Sequence, residues 1–220
     1  MTSHQSDYGL DDVALVSRTA GYRGFFSIDT IRLRHKLFAG GWSREFEREL
    51  FMRGHAAGVL LYDPDLDKVV LVEQFRIGAI EDAQRDGRSP WLLEIVAGVI
   101  DAGETAEALA RREAQEEAGC VISALVPITE YYSSPGGSDE VISLFCGRVD
   151  ASNAGGIHGV EEENEDIRVV VLSSDEAWQA MLDGRMNNAM AIIAMQWLVI
   201  NRQGLRQRWM QTGQAGNRDE

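Results

Sequence analysis

The sequence predicts an α/β layered domain from about residue 55 onward, preceded by a small β-rich piece. Three observations carry this. Apolar and polar residues alternate between Phe25 and Phe38, and short apolar runs bounded by turn residues recur at 56–63, 69–75, 92–98, 140–149 and 167–172. Apolar residues at helical spacing interrupt those runs at 105–118 and again beyond Ser173. The composition, 45% hydrophobic and 25% charged over 220 residues, allows one good-sized domain with a real core, alone or with an accessory piece.

Element by element, the segment FFSIDTIRLRHKLF reads as a strand and is ended by Gly40-Gly41. A charge-rich stretch, residues 43–53, follows, and AAGVLLYD begins at Ala56. The boundary therefore falls near Gly54, dividing the chain into residues 1–54 and 55–220. DPDLD at 63–67 is a turn joining AAGVLLYD and VVLVEQF as a hairpin, and EDAQRDGRSP at 81–90 is a polar loop. LLEIVAG (92–98) is a buried strand. A helix runs from Thr105, its cap, to Ala118, where Gly119 stops it. EVISLFCGRV and IRVVVL are strands, Ser173 and Glu176 form a capping box for the helix carrying Trp178 and Leu182, and a last helix spans about Asn188 to Ile200. Its Met190, Ile193, Ala194 and Trp197 are core residues at helical spacing. The tail after Gly213 is expected to fray.

The formal charge of −14, from 35 acids against 21 Lys and Arg, argues against binding nucleic acid or an anionic membrane, whose phosphates a negative surface repels. Two cysteines outside any CxxC pattern point to a reducing compartment, with the cytoplasm the default. The N-terminal MTSHQSDYGLDD has no basic start followed by an apolar stretch, and no apolar run approaches the ~18 residues of a membrane span, so neither export nor anchoring is expected.

The acidic charge is not spread evenly. Residues 101–120 hold six acids and two arginines, and residues 150–166 hold six acids and no base. In the helix at 105–118, Glu113 and Glu117 fall on the stripe of Ala106, Leu109 and Ala110, the side that should face the protein, while Arg111, Gln115 and Ala118 face outward. Like charges on an inward stripe repel and lose hydration unless a cation neutralises them. Carboxylate oxygens without a Cys/His cluster favour Mg²⁺ or Mn²⁺ over Zn²⁺.

From Gly98 the chain reads GVIDAGETAEALARREAQEEAGC, which resembles the Nudix box. Gly98, Glu104, Arg112, Glu113, Glu116, Glu117 and Gly119 fill its fixed positions, and Ala114 and Cys120 its apolar ones. Pro135, sixteen residues after Gly119, is similarly placed in the subgroup that hydrolyses ADP-ribose. GFFSIDTIRLRHKLFAG, RGHAAGVLL, EQFRIGA, HGVEEENEDIRV and MNNAMAIIAMQWL resemble the bacterial ADP-ribose pyrophosphatases from about Gly24 nearly to the C-terminus.

The resemblance implies an α/β/α sandwich with a mixed sheet, preceded by a small N-terminal antiparallel β domain for dimerisation and substrate binding. It implies Mg²⁺-dependent hydrolysis of ADP-ribose to AMP and ribose 5-phosphate, with Mn²⁺ as a substitute metal, in a homodimer whose N-terminal piece helps build the other subunit's site. The metal ligands it implies are the backbone carbonyl of Ala97 with Glu113, Glu117 and Glu165. Glu116 bridges or supports them. The candidate general base is Glu163, with Glu161 and Glu162 beside it and Glu116 as a further alternative. Arg112 orients a glutamate such as Glu104. For the substrate the resemblance implies Phe25 and Phe26 as an aromatic platform and Arg48, Arg53 and Arg76 for its charge, with Glu49, Val99, Ser134 and Glu140 as further contacts. His55 and His158 stand outside this set, since carboxylates already account for the site. Two alternatives remain: a hydrolase for another nucleoside diphosphate sugar such as GDP-mannose, and a non-catalytic nucleotide sensor.

Overall fold

The computed structural model describes residues 7–215, except for the side chains of Glu163 and residues 211–215. The chain divides into two compact units. The first runs to His55 and takes in Tyr132–Val141; the second comprises Ala56–Tyr131 and the chain from Ile142 onward.

The first unit is a three-stranded antiparallel sheet of β1 (Val13–Arg23), β2 (Ser27–His35) and β3 (Phe46–Met52), with β2 in the middle. Thr30 stands opposite Thr19 on one side and Glu49 on the other. Only β2 carries the alternation that sequence reasoning needs. Nearly every residue of β1 is exposed, so its pattern has no buried face to reveal, and β3 is hidden by its charges. The sheet is held by ions as well as by ladder bonds: buried Asp29 pairs with Arg18 at 2.5 Å and Arg23 at 2.5 Å. Those hydrogen bonds, Arg18 first, hold its carboxyl below the usual range. Residues 132–141 join this unit at the end of β3, where the Phe51 amide donates to Gly137 (2.8 Å) and the Asp139 amide to Phe51 (3.2 Å).

The second unit follows the order β4 (Ala56–Asp63), β5 (Lys68–Phe75), α1 (Ile80–Asp86), β6 (Trp91–Glu94), β7 (Val96–Val99), α2 (Ala106–Ala118), β8 (Ala124–Tyr132), β9 (Val141–Arg148), β10 (Ile157–His158), β11 (Ile167–Ser173), α3 (Ser174–Leu182) and α4 (Ala189–Ala215). Its sheet runs β10-β11-β5-β4-β9-β8, with β6 beside β5 and β7 beside β4. β4 and β9 are parallel, whereas β4 pairs antiparallel with β5 and β7, so the sheet is mixed.

Every residue of β4 is buried, because helices cover both faces. Val59, Leu61, Val70 and Val72 point to the side of α2 and pack with Leu109, Ala110 and Ala114. Their neighbours Leu60, Tyr62, Val69 and Leu71 point the other way, to Ala177, Ala194, Met195 and Leu198 of α3 and α4. Each such large side chain contributes about 1.5–3 kcal/mol on burial, so the two cores fix the sandwich. Among the described residues no helix is long and apolar enough to cross a membrane.

Four expectations differ from what is observed. The run at 92–98 is two strands, β6 and β7, split at Ile95, because β6 pairs with β5 and β7 with β4. The polar loop at 81–90 contains helix α1, which Gly87 closes in the left-handed conformation (φ 69°). The last helix continues far past Ile200, with Leu205 and Trp209 buried against the sheet. Ala118 faces inward, 1% exposed in the α2 core, rather than outward. The expected fraying after Gly213 falls on side chains and a terminus outside the described residues.

Candidate active site

The site is built on α2 and the strand that receives it. Thr105 caps α2 by accepting from the Ala108 amide at 3.2 Å. At the other end Gly119 sits left-handed (φ 62°), its amide donating to Gln115 and that of Cys120 to Ala114. Between these ends the inward stripe carries Leu109, Ala110 and Ala114 into the core and brings Glu113 and Glu117 against β7.

Glu117 is 2% exposed and accepts from the Ala97 amide at 3.2 Å. Glu113 lies flat against Gly98. A Cβ at residue 98 would stand 2.6 Å from the Glu113 carboxyl carbon, so only glycine leaves room for that carboxylate. Burial pushes Glu113 up to about 7, and the charges of Glu116 and Glu165 add to the rise against the opposing pull of Arg112. Burial likewise pushes Glu117 up to about 8, with Glu113 and Glu165 adding to it.

Arg112 gathers the neighbouring acids. Its guanidinium reaches Glu104 at 3.1 and 3.2 Å, Glu113 at 2.9 Å and Glu116 at 2.8 Å. Arg76, from the end of β5, donates to buried Glu94 of β6 at 2.6 Å. Glu94 is a residue that sequence reasoning missed; an acid within the apolar run 92–98 was the available signal. The acid-rich residues 150–166 form a loop, the acid loop, that returns to β11 through a short 3-10 turn, Glu161–Glu163; flanking that turn, the Glu165 amide donates to Val160 (3.2 Å) and the Glu165 carboxylate accepts from the Val160 amide (3.2 Å). The Glu163 side chain lies outside the described residues.

Among the described residues no three His, Cys, Asp or Glu side chains converge as they stand on a point that would hold an ion. The donor set nonetheless fits a divalent metal. Partly buried Glu113 and buried Glu117 stand beside a third carboxylate, burial first and like charge second raise both, and their oxygens are hard ligands. Glu113, Glu117 and Glu165 with the Ala97 carbonyl are the residues that would hold it.

The remaining sequence candidates fall in both units. In the second, Val99 is half-exposed at the end of β7. In the first, Phe25 is 93% exposed and meets Phe26 edge-on at 4.8 Å; Phe26 meets Phe51 at 5.2 Å. The Arg53 guanidinium stands 5.7 Å from the Phe26 ring and pairs with Glu140, which is 6% exposed. Arg48 lies 4.6 Å over the Phe46 ring and Glu49 is exposed on the same strand. Ser134 opens the turn around Pro135, its carbonyl accepting from Ser138 at 2.9 Å.

A mixed sheet between helices, a glutamate-rich helix held by its own arginine and a glycine-backed carboxylate define one class of protein. The NUDIX domain model matches residues 52–192, and the chain belongs to the Nudix family. It is 48% identical to the ADP-ribose pyrophosphatase of Escherichia coli (strain K12) over 92% of this chain and 95% of that one. It is 45% identical to the ADP-ribose pyrophosphatase of Haemophilus influenzae over 92% and 93%. A GDP-mannose pyrophosphatase of Enterobacter sp. is 35% identical over 70% of this chain and 78% of its own. A solved structure described as an ADP compounds hydrolase shares the fold, with TM-score 0.62 at 18% identity over 87% of this chain and 97% of that one.

Proposed function

We propose that this chain hydrolyses the diphosphate bond of ADP-ribose, releasing AMP and ribose 5-phosphate, with Mg²⁺ as its metal. The observation that carries this is the packing of Glu113 and Glu117 against Ala97 and Gly98, supported by near-half identity to proteins named ADP-ribose pyrophosphatase. A divalent ion bound there would supply charge neutralisation on the diphosphate. The chain's own residues do the rest. Arg112 holds Glu104, Glu113 and Glu116 in place, and Glu163, or else one of Glu161, Glu162 and Glu116, takes the proton from the attacking water.

Arg76 meets the substrate's charge, fixed in direction by Glu94, and Val99 and Ser134 contribute contacts. Phe25 and Phe26 offer rings to the adenine, and Arg48, Glu49, Arg53 and Glu140 line its surroundings. An aromatic side chain left 93% exposed at Phe25 supports a partner or ligand for that face, and a homodimer is part of the proposal. Residues 1–54 and 55–220 are then its dimerisation and catalytic domains. The cytoplasm suits a chain whose two cysteines are both free and buried.

Purified protein offered ADP-ribose and GDP-mannose separately with Mg²⁺ tests the substrate. ADP-ribose is expected to be cleaved with the higher kcat/KM; a preference for GDP-mannose overturns the choice, and binding without cleavage of either supports a sensor instead.

A further inference from the structure

A backbone hydrogen bond ties the acid loop to α2. The Gly159 amide donates to the Glu116 carbonyl at 3.3 Å, joining the loop to the last turn of α2. Beside that bond the His158 ring occupies the space left by the missing side chain of Gly119: a Cβ there would stand 2.9 Å from the ring's Cε1. The ring's Nε2 lies 2.8 Å from the Gly155 carbonyl, which can only accept, so Nε2 carries a hydrogen and donates. Behind it the Val169 amide donates to Gly156 at 3.0 Å, fixing the base of the loop to β11.

From this anchor the chain turns directly onto Glu165. Gly159 is left-handed (φ 105°), and a Cβ on it would stand 2.7 Å from the Cβ of Glu165. Glu116, Gly159 and Glu165 therefore form a continuous contact from helix to acid loop, and His158 wedges its hinge. Neither glycine tolerates a side chain, one because of His158 and the other because of Glu165. A loop whose only duty was to connect β9 and β11 would need neither fit.

We propose that His158 is a positioning residue that docks the acid loop on the C-terminal end of α2 and so sets where the loop's glutamates stand relative to Glu113 and Glu117. The inference rests on the proposed function for what the loop does, but the docking itself is independent of it. His158 touches neither substrate nor reacting atoms and acts through Gly159 and Glu165.

Two variants and two readouts test it. In His158→Ala the ring and its hydrogen bond are lost; in His158→Gln a side-chain amide can still donate to Gly155. Amide hydrogen exchange of residues 155–166 is expected to accelerate about tenfold or more in the alanine variant, with the rest of the molecule unchanged. Its kcat for ADP-ribose is expected to fall by about tenfold to a hundredfold while KM stays within about threefold, the pattern of misplaced catalytic groups. The glutamine variant should recover much of both. Wild-type exchange in the loop of the alanine variant overturns the docking role. Faster exchange throughout the molecule, with kcat lost in proportion to folded protein and no rescue by glutamine, makes the residue merely structural and also overturns it. If the wild-type protein cleaves no nucleoside diphosphate sugar, the functional reading fails while the exchange experiment still decides the docking.

Discussion

Arg112 and Glu104 face one another across the start of α2 in a two-pronged ion pair, Nε to Oε1 at 3.1 Å and a terminal nitrogen to Oε2 at 3.2 Å. The second terminal nitrogen is left to span Glu113 and Glu116. A planar fork with five donors can make these four bonds at once, and a lysine, with three donors at one point, cannot. Arg112→Lys is therefore expected to lower kcat by about tenfold to a hundredfold with little change in KM. Steady-state kinetics check this, and wild-type kcat would remove Arg112 from the positioning of the glutamates.

Gly98→Ala tests the seat of Glu113. The added methyl cannot share space with the Glu113 carboxylate, so that side chain must leave its place against β7. A misplacement of about 1 Å costs on the order of a hundredfold in rate, and the variant should lose at least that much activity. Thermal melting should show a folded protein, because α2 and its core contacts remain.

Glu163→Gln addresses proton transfer. The substitution keeps shape and removes basicity, so turnover is expected to fall by two orders of magnitude or more while Mn²⁺ affinity is retained, as isothermal titration would show. Near-wild-type turnover would move the base to Glu161, Glu162 or Glu116.

Asp67 governs stability far from the chemistry. It turns the β4–β5 hairpin at φ 56°, accepts from Tyr62 at 2.8 Å and Ser174 at 3.0 Å, and pairs with Arg202 and Arg206 of α4. Burial raises its carboxyl, but the bonds from Arg202, Tyr62 and Ser174 outweigh this and hold it below the ordinary aspartate value of 3.8. A depressed carboxyl stabilises the fold above its unfolded pKa, and that contribution is lost as pH falls through the lower folded value. Asp67→Asn keeps a residue that tolerates the left-handed backbone yet gives up the charge, and should cost about 1–3 kcal/mol at pH 7. Melting curves of both proteins from pH 7 down to about 3 should converge as the wild type protonates.

How much of this was legible in the sequence differs from residue to residue. Glu113 and Glu117 were legible because helical spacing places them on a buried stripe, and α2 obeys that spacing from cap to stop, whereas the roles of Glu116 and Arg112 came from the resemblance to the Nudix box. β1 was not, since a strand exposed on both faces has no period, and α1 was not, since a seven-residue helix with five polar residues looks like a loop. The attachment of residues 132–141 to the first unit rests on backbone bonds between Phe51, Gly137 and Asp139, which no side-chain pattern announces. His158 and Gly119 lie 39 positions apart, and their fit is a property of the folded loop alone.

In the proposed reaction these glutamates serve hydrolysis of a nucleoside diphosphate sugar. Incubating the protein with ADP-ribose and Mg²⁺ in heavy-oxygen water, and weighing the products by mass spectrometry, tests it most directly. AMP and ribose 5-phosphate are expected in equal amounts, with one heavy oxygen on one of the two and no reaction when the metal is chelated. Intact ADP-ribose after prolonged incubation with the metal, or products cleaved anywhere but between the two phosphorus atoms, would contradict it.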